Sequence, residues 1–363
     1  MARRIRKSTW TRSFQRTLGA LTRATLRAGT RAVLKASAKA TKQVTRPTRK
    51  RPTLPAPSHR ARATRATPAA TAEWISGVAL GPTGARRYRL YRPAGVRATS
   101  ARAPLLVMLH GCGQDAAGFA RSTRLHRLAA REGFLVLYPE QGRLANAQGC
   151  WNWYGTRSGL AAGEAALIVA AIDQACTLYS ADPARVAVAG LSAGASMAGL
   201  LAVLHPQRFK AVAMHSGIAP GTAASSAGAL GAMQGRRHPK PLPATAAGAA
   251  GLPPLLVIHG SADPVVRPGN GRAAAQLWAD AAGAHASPPR TVQRGQRYPM
   301  TVTDFKRGPR IIASLCEVAG LGHAWSGGAA GQPYSDPKGP DAARMVWAFA
   351  LRQFGAAAPA APR

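Results

Sequence analysis

Short apolar runs bounded by turn residues recur through most of the chain, and segments with one apolar face lie between them. Leu105–Leu109, Phe134–Tyr138, Ala211–Met214 and Leu255–Ile258 are unbroken in apolar character, and each reads as a strand buried on both faces. Arg185–Ala189 is a further run of strand character. Tyr88–Tyr91 reads as an early antiparallel strand, Thr301–Phe305 alternates as a hairpin strand does, and Ile311–Val318 reads as the last strand. Helical spacing runs over 116–131, over Ala195–Leu201 and over Asp341–Phe354. It also runs over Glu164–Tyr179, where Ile168, Ile172, Cys176 and Tyr179 share a face. The alternation predicts an α/β fold with a mostly parallel central sheet and helices on both faces. The stretch 219–252, rich in Ala, Gly, Ser and Pro, predicts an insertion or mobile loop.

Charge divides the chain. The formal net charge is +36, and residues 1–70 hold nineteen Lys and Arg with no Asp or Glu; the first acidic residue is Glu73. Such asymmetry predicts a basic arm over 1–72, a single domain over 73–355 and a disordered tail over 356–363. Arg12–Val44 carries apolar residues at loosely helical spacing, as a basic amphipathic surface helix would, and the five prolines between Arg46 and Thr71 read as an extended linker. With little apolar surface to offset chain entropy, the arm is expected to be largely disordered in isolation. Its charge suits an anionic granule or membrane surface, or nucleic acid without sequence preference. Only Trp10 and Phe14 could stack on bases, so attachment to a surface is the preferred expectation. No apolar run reaches the roughly eighteen residues of a membrane span. No apolar stretch of about seven residues follows the basic start either, which predicts no secretory signal and a cytoplasmic or granule-associated chain.

The candidate chemistry centres on Gly190-Leu191-Ser192-Ala193-Gly194, a G-x-S-x-G sequence between a strand-like run and a helix-like one. A serine on such a turn projects its hydroxyl above the sheet edge, as a nucleophile requires. An acyl-transfer serine also needs a base, a carboxylate to orient it and N–H donors for the oxyanion. Asp263 follows the Leu255–Ile258 strand and is the expected acid, with Asp304 a weaker rival. His323, in Gly320-Leu321-Gly322-His323 after the last strand, is the expected base. The backbone N–H groups of Cys112, after the Leu105–Leu109 strand, and Ala193 are the expected oxyanion donors; His110 is expected to support its loop. Trp151 and Trp153, in an aromatic cluster after Cys150, are expected to wall a substrate pocket or, alternatively, to pin their loop by packing, and Trp325 is expected to join that wall.

Four cysteines, Cys112, Cys150, Cys176 and Cys316, fit no zinc spacing. They read first as buried free thiols of an intracellular protein, with a Cys112–Cys150 bridge near the serine as the alternative.

Taken in order, Leu109-His110-Gly111-Cys112-Gly113-Gln114, Cys150-Trp151-Asn152-Trp153, the Ser192 turn, His259-Gly260-Ser261-Ala262-Asp263 and Gly320-Leu321-Gly322-His323-Ala324-Trp325-Ser326-Gly327-Gly328 resemble the polyhydroxybutyrate depolymerase family of esterases, which includes feruloyl and acetylxylan esterases. The resemblance covers roughly 73–355. It implies an α/β-hydrolase fold and a carboxylic-ester hydrolase with Ser192, Asp263 and His323 as its triad, needing neither metal nor cofactor. Poly(3-hydroxybutyrate), its oligomers or simpler esters are the implied substrates, and family habit implies export from the cell.

Overall fold

The computed structural model describes residues 71–97, 101–242 and 251–355. The expectations for the arm at 1–70 and the tail at 356–363 lie outside the described residues. Strands β1 (Glu73–Gly81) and β2 (Gly84–Arg92) form an antiparallel hairpin, and β2 pairs antiparallel with β4 (Leu135–Pro139). From β4 the sheet continues in parallel through β3 (Ala103–Leu109), β5 (Ala181–Leu191), β6 (Ala211–His215), β7 (Leu255–Gly260) and β11 (Arg310–Val318). The far edge is antiparallel again: β10 (Met300–Arg307) pairs with β11 and carries the short β8 (His285–Ala286) and β9 (Arg290–Val292). A separate two-residue ladder joins β12 (Trp325–Ser326) to β13 (Ser335–Asp336).

The unbroken apolar runs form the centre because both of their faces are covered. In β3, Leu105, Val107 and Leu109 enter one core, while Leu106 and Met108 enter the other. In β5, Val186 and Val188 point one way and Ala187, Ala189 and Leu191 the other. One face is covered by α3 (Leu160–Leu178), α4 (Ala193–Leu204) and α6 (Gly269–Ala282), through Ile168, Ile172, Met197, Leu201 and Trp278. The opposite face is covered by α1 (Ala116–Thr123), α2 (Leu125–Glu132) and α7 (Ala342–Gly355), through Phe119, Leu128, Val346 and Phe349. Phe134 stacks on Trp347, with ring centroids 3.6 Å apart. This is the expected α/β-hydrolase arrangement. Helix α3 is long and apolar enough to cross a membrane, but Ala161, Ala165, Ile168, Ala171, Ile172 and Ala175 place it in the core.

Two expectations change. The single helical segment over 116–131 is two helices, because Arg124 adopts φ 54 and breaks the ladder. The Arg124 guanidinium then donates to the carbonyls of Gly327 and Gly328, tying α1 to the loop beyond β11. The stretch 219–252 is not loop throughout: α5 (Ser226–Met233) lies within it, capped by the Ser225 hydroxyl accepting from Gly228 N–H. Residues 243–250 lie outside the described residues. Helix α6 has no counterpart among the segments read from the sequence.

Candidate active site

Four adjacent parallel strands, β5, β6, β7 and β11, deliver Ser192, His215, Asp263 and His323 to one edge of the sheet. Ser192 is the single residue between β5 and α4, with φ 58 and ψ −121. The turn closes only because its flanks lack side chains. A Cβ on Gly190 would overlap the Gly194 carbonyl, and one on Gly194 would overlap the carbonyl oxygen of Leu109. The Ser192 N–H donates to the His215 carbonyl at 2.9 Å, which locks the turn to β6.

Past β7 the chain bends at Asp263, whose carboxylate is buried and fully engaged. Oδ1 accepts the N–H groups of Val265 and Val266, each at 2.9 Å. Oδ2 accepts from His323 Nδ1 at 2.8 Å, and His259 Nε2 lies 3.5 Å away. Burial by itself would raise the Asp263 pKa; the His323 bond and charge, with the Val266 N–H, outweigh it and hold the carboxyl below its ordinary range. The rival Asp304 is spent elsewhere: on β10 it accepts from the Ser314 hydroxyl and from Arg290, both at 2.6 Å. Asp263 and His323 are thus joined directly. Ser192 shares their sheet edge, with no hydrogen bond from its hydroxyl to His323 among the described residues.

The loop after β3 lies against Ser192: a Cβ on Gly111 would stand 3.5 Å from the Ser192 Cβ. Around it, nearly every backbone donor is taken. Gly111 N–H donates to Gln114 Oε1, Gly113 N–H to the Gln148 carbonyl and Gln114 N–H to the Gly111 carbonyl. Among the described residues the N–H groups of Cys112 and Ala193 have no protein acceptor. Those are the donors a substrate oxyanion would need. His110 cannot serve as a base, because its Nδ1 contacts the Gly111 carbonyl at 2.9 Å and its Nε2 accepts from Gln141 N–H at 3.1 Å.

The cysteine reading is corrected. Cys112 and Cys150 form a disulfide with Cα atoms 4.3 Å apart, while Cys176 and Cys316 are buried free thiols. A sequence separation of 38 residues had kept apart two positions that the fold brings together.

Trp151 and Trp153 take the packing alternative, and Trp325 lies away from its expected place in a substrate wall. Trp151, Trp153 and Trp325 are 0%, 6% and 1% exposed, so they offer a substrate almost no surface. Trp151 Nε1 donates to the His110 carbonyl at 3.0 Å, supporting the loop after β3 from beneath. Trp325 packs edge-on against Phe119 and stacks on His215. Under the same loop lies a buried polar network that no sequence motif announced. Glu164 of α3 accepts from Gln141 Nε2 and from Asn152 through both its backbone and side-chain N–H, while Arg86 donates to Gln141 Oε1. The aromatic residue that does stand in the open near the loop is Tyr334, 38% exposed and at φ 53, with its hydroxyl 3.8 Å from where a Gly113 Cβ would be.

The sequence reading gives no role to His215 or to His259, although β3, β6 and β7 all run into a histidine at their end. Burial pushes His215 down to about 3, with His259 and His323 adding to the fall, and burial also lowers His110 and His259. In the unfolded chain a histidine titrates near 6.5. Unfolded His215 therefore gains a proton below about pH 6.5 that the folded form refuses until about pH 3, and its stabilisation is lost through that window as pH falls. The urea midpoint is expected to drop between pH 7 and pH 5, with a shallower drop in His215→Gln; equal slopes would remove His215 as the cause.

The profile of the family described as Esterase PHB depolymerase matches residues 86–284, which include Cys112, Ser192 and Asp263. Feruloyl esterase B of Neurospora crassa is 29% identical over 268 residues, covering 70% of this chain and 88% of that protein. Poly(3-hydroxyalkanoate) depolymerase C of Paucimonas lemoignei is 30% identical over 246 residues, 61% of this chain and 55% of the depolymerase, so the match spans about half of the latter's length. Among solved structures, the acetyl xylan esterase from Aspergillus awamori superposes with a TM-score of 0.55 over 69% of this chain and 94% of its own, at 22% identity, which is a likeness of fold.

Proposed function

The chain belongs to the PHB depolymerase family of esterases, and on that premise we propose that it cleaves poly(3-hydroxybutyrate) or its oligomers through an acyl-enzyme on Ser192. That it is a carboxylic-ester hydrolase follows from the family itself. The observation that carries the acyl-enzyme route is the Asp263–His323 bond on the same sheet edge as Ser192, beside two unspent N–H donors, and the polyester substrate is supported by the match to the poly(3-hydroxyalkanoate) depolymerase.

With Nδ1–H given to Asp263, the lone pair of His323 is on Nε2. That nitrogen takes the Ser192 proton as the hydroxyl oxygen attacks the ester carbonyl, and the Cys112 and Ala193 N–H groups receive the oxyanion. The alcohol leaves with the proton held on Nε2. Water then enters by the same route, and the acid product departs with Ser192 restored. The serine–histidine contact tightens once substrate is bound.

A second reading, hydrolysis of feruloyl, acetylxylan or short-chain esters, is supported by the longer reach of the feruloyl esterase match, 88% of that relative against 55% of the depolymerase. In either case the nineteen positive charges of residues 1–70 would hold the domain to an anionic granule or membrane surface. Non-specific nucleic acid is the alternative partner. One panel separates these readings: 3-hydroxybutyrate trimer, amorphous polymer, methyl ferulate and acetylated xylan, each with the full chain and with a chain lacking 1–70. The expected result is a kcat/KM at least about tenfold higher on the trimer than on methyl ferulate. Loss of the arm should slow only the particulate polymer. A preference for ferulate or acetylated xylan moves the assignment to the second reading, and equal polymer rates remove the tether.

The disulfide supports the same machinery from behind. Closing a loop of 38 residues contributes about 4 kcal/mol by chain entropy. Cys150→Ser is expected to lower Tm by roughly 10 °C. Because the partner sulfur belongs to the residue whose N–H receives the oxyanion, kcat should also fall by about tenfold, short of the roughly hundredfold loss of a whole donor. A thermal melt and p-nitrophenyl butyrate kinetics below the melt check both; an unchanged kcat would detach the bridge from catalysis.

A further inference from the structure

We infer that His215 is a positioning residue, a side chain that ties the loop carrying His323 to the strand whose backbone holds Ser192. The inference rests on the Ser192–His323–Asp263 reading above and adds a residue to it. His215 ends β6, the strand between those that deliver Ser192 and Asp263. Its two ends hold the two halves of the site. The backbone carbonyl accepts the Ser192 N–H at 2.9 Å, and the ring Nε2 accepts the Ser326 N–H at 3.1 Å, three residues past His323.

The loop is held on further sides as well. The Ser326 hydroxyl donates to the Pro340 carbonyl at 2.6 Å, and Trp325 stacks on the His215 ring at 5.2 Å between centroids. The next turn is fixed to β7 by Ser216, at φ 52, whose N–H donates to the Ile258 carbonyl at 2.9 Å. An Nε2 that accepts leaves the ring proton on Nδ1, which lies 3.3 Å from the Ser216 hydroxyl oxygen. Burial keeps the ring neutral well below the ordinary histidine range, so Nε2 remains an acceptor. Replacing the side chain leaves the bond to the Ser192 N–H in place, because that bond is made by the backbone. It removes only what the ring makes: the bond to Ser326 N–H, the stack with Trp325 and the contact with the Ser216 hydroxyl.

That separation makes a graded test available. Glutamine at 215 can bring an amide oxygen to the place of Nε2, whereas asparagine reaches only as far as Nδ1 and leucine offers no acceptor. His215→Gln, His215→Asn and His215→Leu would be compared on p-nitrophenyl acetate. Active sites would be counted by stoichiometric labelling with diethyl p-nitrophenyl phosphate, so that losses of folded enzyme are divided out. Misplacement of a reacting group by about 1 Å lowers turnover by about a hundredfold. The expected result is a fall of about that size in kcat per labelled site for Asn and Leu, with KM within about twofold and Gln within about fivefold of the parent. Equal kcat per site across the series, or a Gln variant no better than Asn, overturns the inference. Where the Leu variant fails to fold, the Gln and Asn pair decides. A parent chain that neither labels nor turns over would instead sink the triad reading, taking this inference with it.

Discussion

Replacing Ser192 with alanine is expected to lower p-nitrophenyl butyrate turnover by about a thousandfold or more while leaving the fold intact. Both halves of that outcome follow from the turn. The bonds that Ser192 contributes to structure come from its backbone: its N–H reaches the His215 carbonyl, and its carbonyl accepts from Ser196 N–H. Alanine keeps both and brings the same Cβ to φ 58, so the strain of that conformation is unchanged. The hydroxyl takes no part in holding the fold, and removing it removes the proposed nucleophile. Residual activity would be what the oxyanion donors and substrate binding supply without the nucleophile. Circular dichroism and Tm should match the parent, and turnover surviving in a clean preparation would mean that another group performs the attack.

Asp263→Asn should be nearly as severe, with kcat near neutral pH falling by about ten-thousandfold. Oδ1 of Asp263 accepts two backbone N–H groups and therefore remains the oxygen of an amide placed there. The amide nitrogen is then forced onto the Oδ2 side, facing His323 Nδ1. A donor in that position turns Nδ1 into an acceptor and moves the ring proton to Nε2, where a lone pair is needed to receive the serine proton. The base is lost through its tautomer, with little change in geometry. Asp304→Asn supplies the contrast. It weakens bonds to Ser314 and Arg290 on β10, so stability should fall by about 1–2 kcal/mol while kcat stays within about twofold. If the two variants lost equal activity, Asp263 would not be the orienting acid.

The central strands were legible because burial on both faces leaves no polar position in them, and Leu105–Leu109 shows this residue by residue. The Ser192 turn was legible for a different reason: close backbone approach tolerates only glycine at 190 and 194, so the constraint is written in the residue types. What depended on distance between remote segments was hidden. Cys112 and Cys150 could not be told from free thiols, since nothing local records that their Cα atoms meet. Trp151 and Trp325 announced large apolar surfaces without saying which side of the loop those surfaces would face. His215 looked like any strand-end histidine, because its importance comes from Ser326, more than a hundred residues away. Arg124 gave no sign that it would break a helix, for its left-handed backbone is upheld by carbonyls of another loop.

The uneven state of the four cysteines also governs what happens after the protein melts. In the native fold Cys316 is inert, its thiol pushed up to about 12 by burial, and Cys176 is raised in the same sense. Unfolding returns both to ordinary thiol acidity in a chain that still carries an intact bridge between Cys112 and Cys150. Their thiolates can then attack that bridge and exchange partners, leaving mispaired chains that cannot rebuild the loop beside Ser192. Heat inactivation in mildly alkaline buffer is therefore expected to be a one-way process measured by a half-life, and recovery on cooling is expected in acidic buffer, which keeps the thiols protonated.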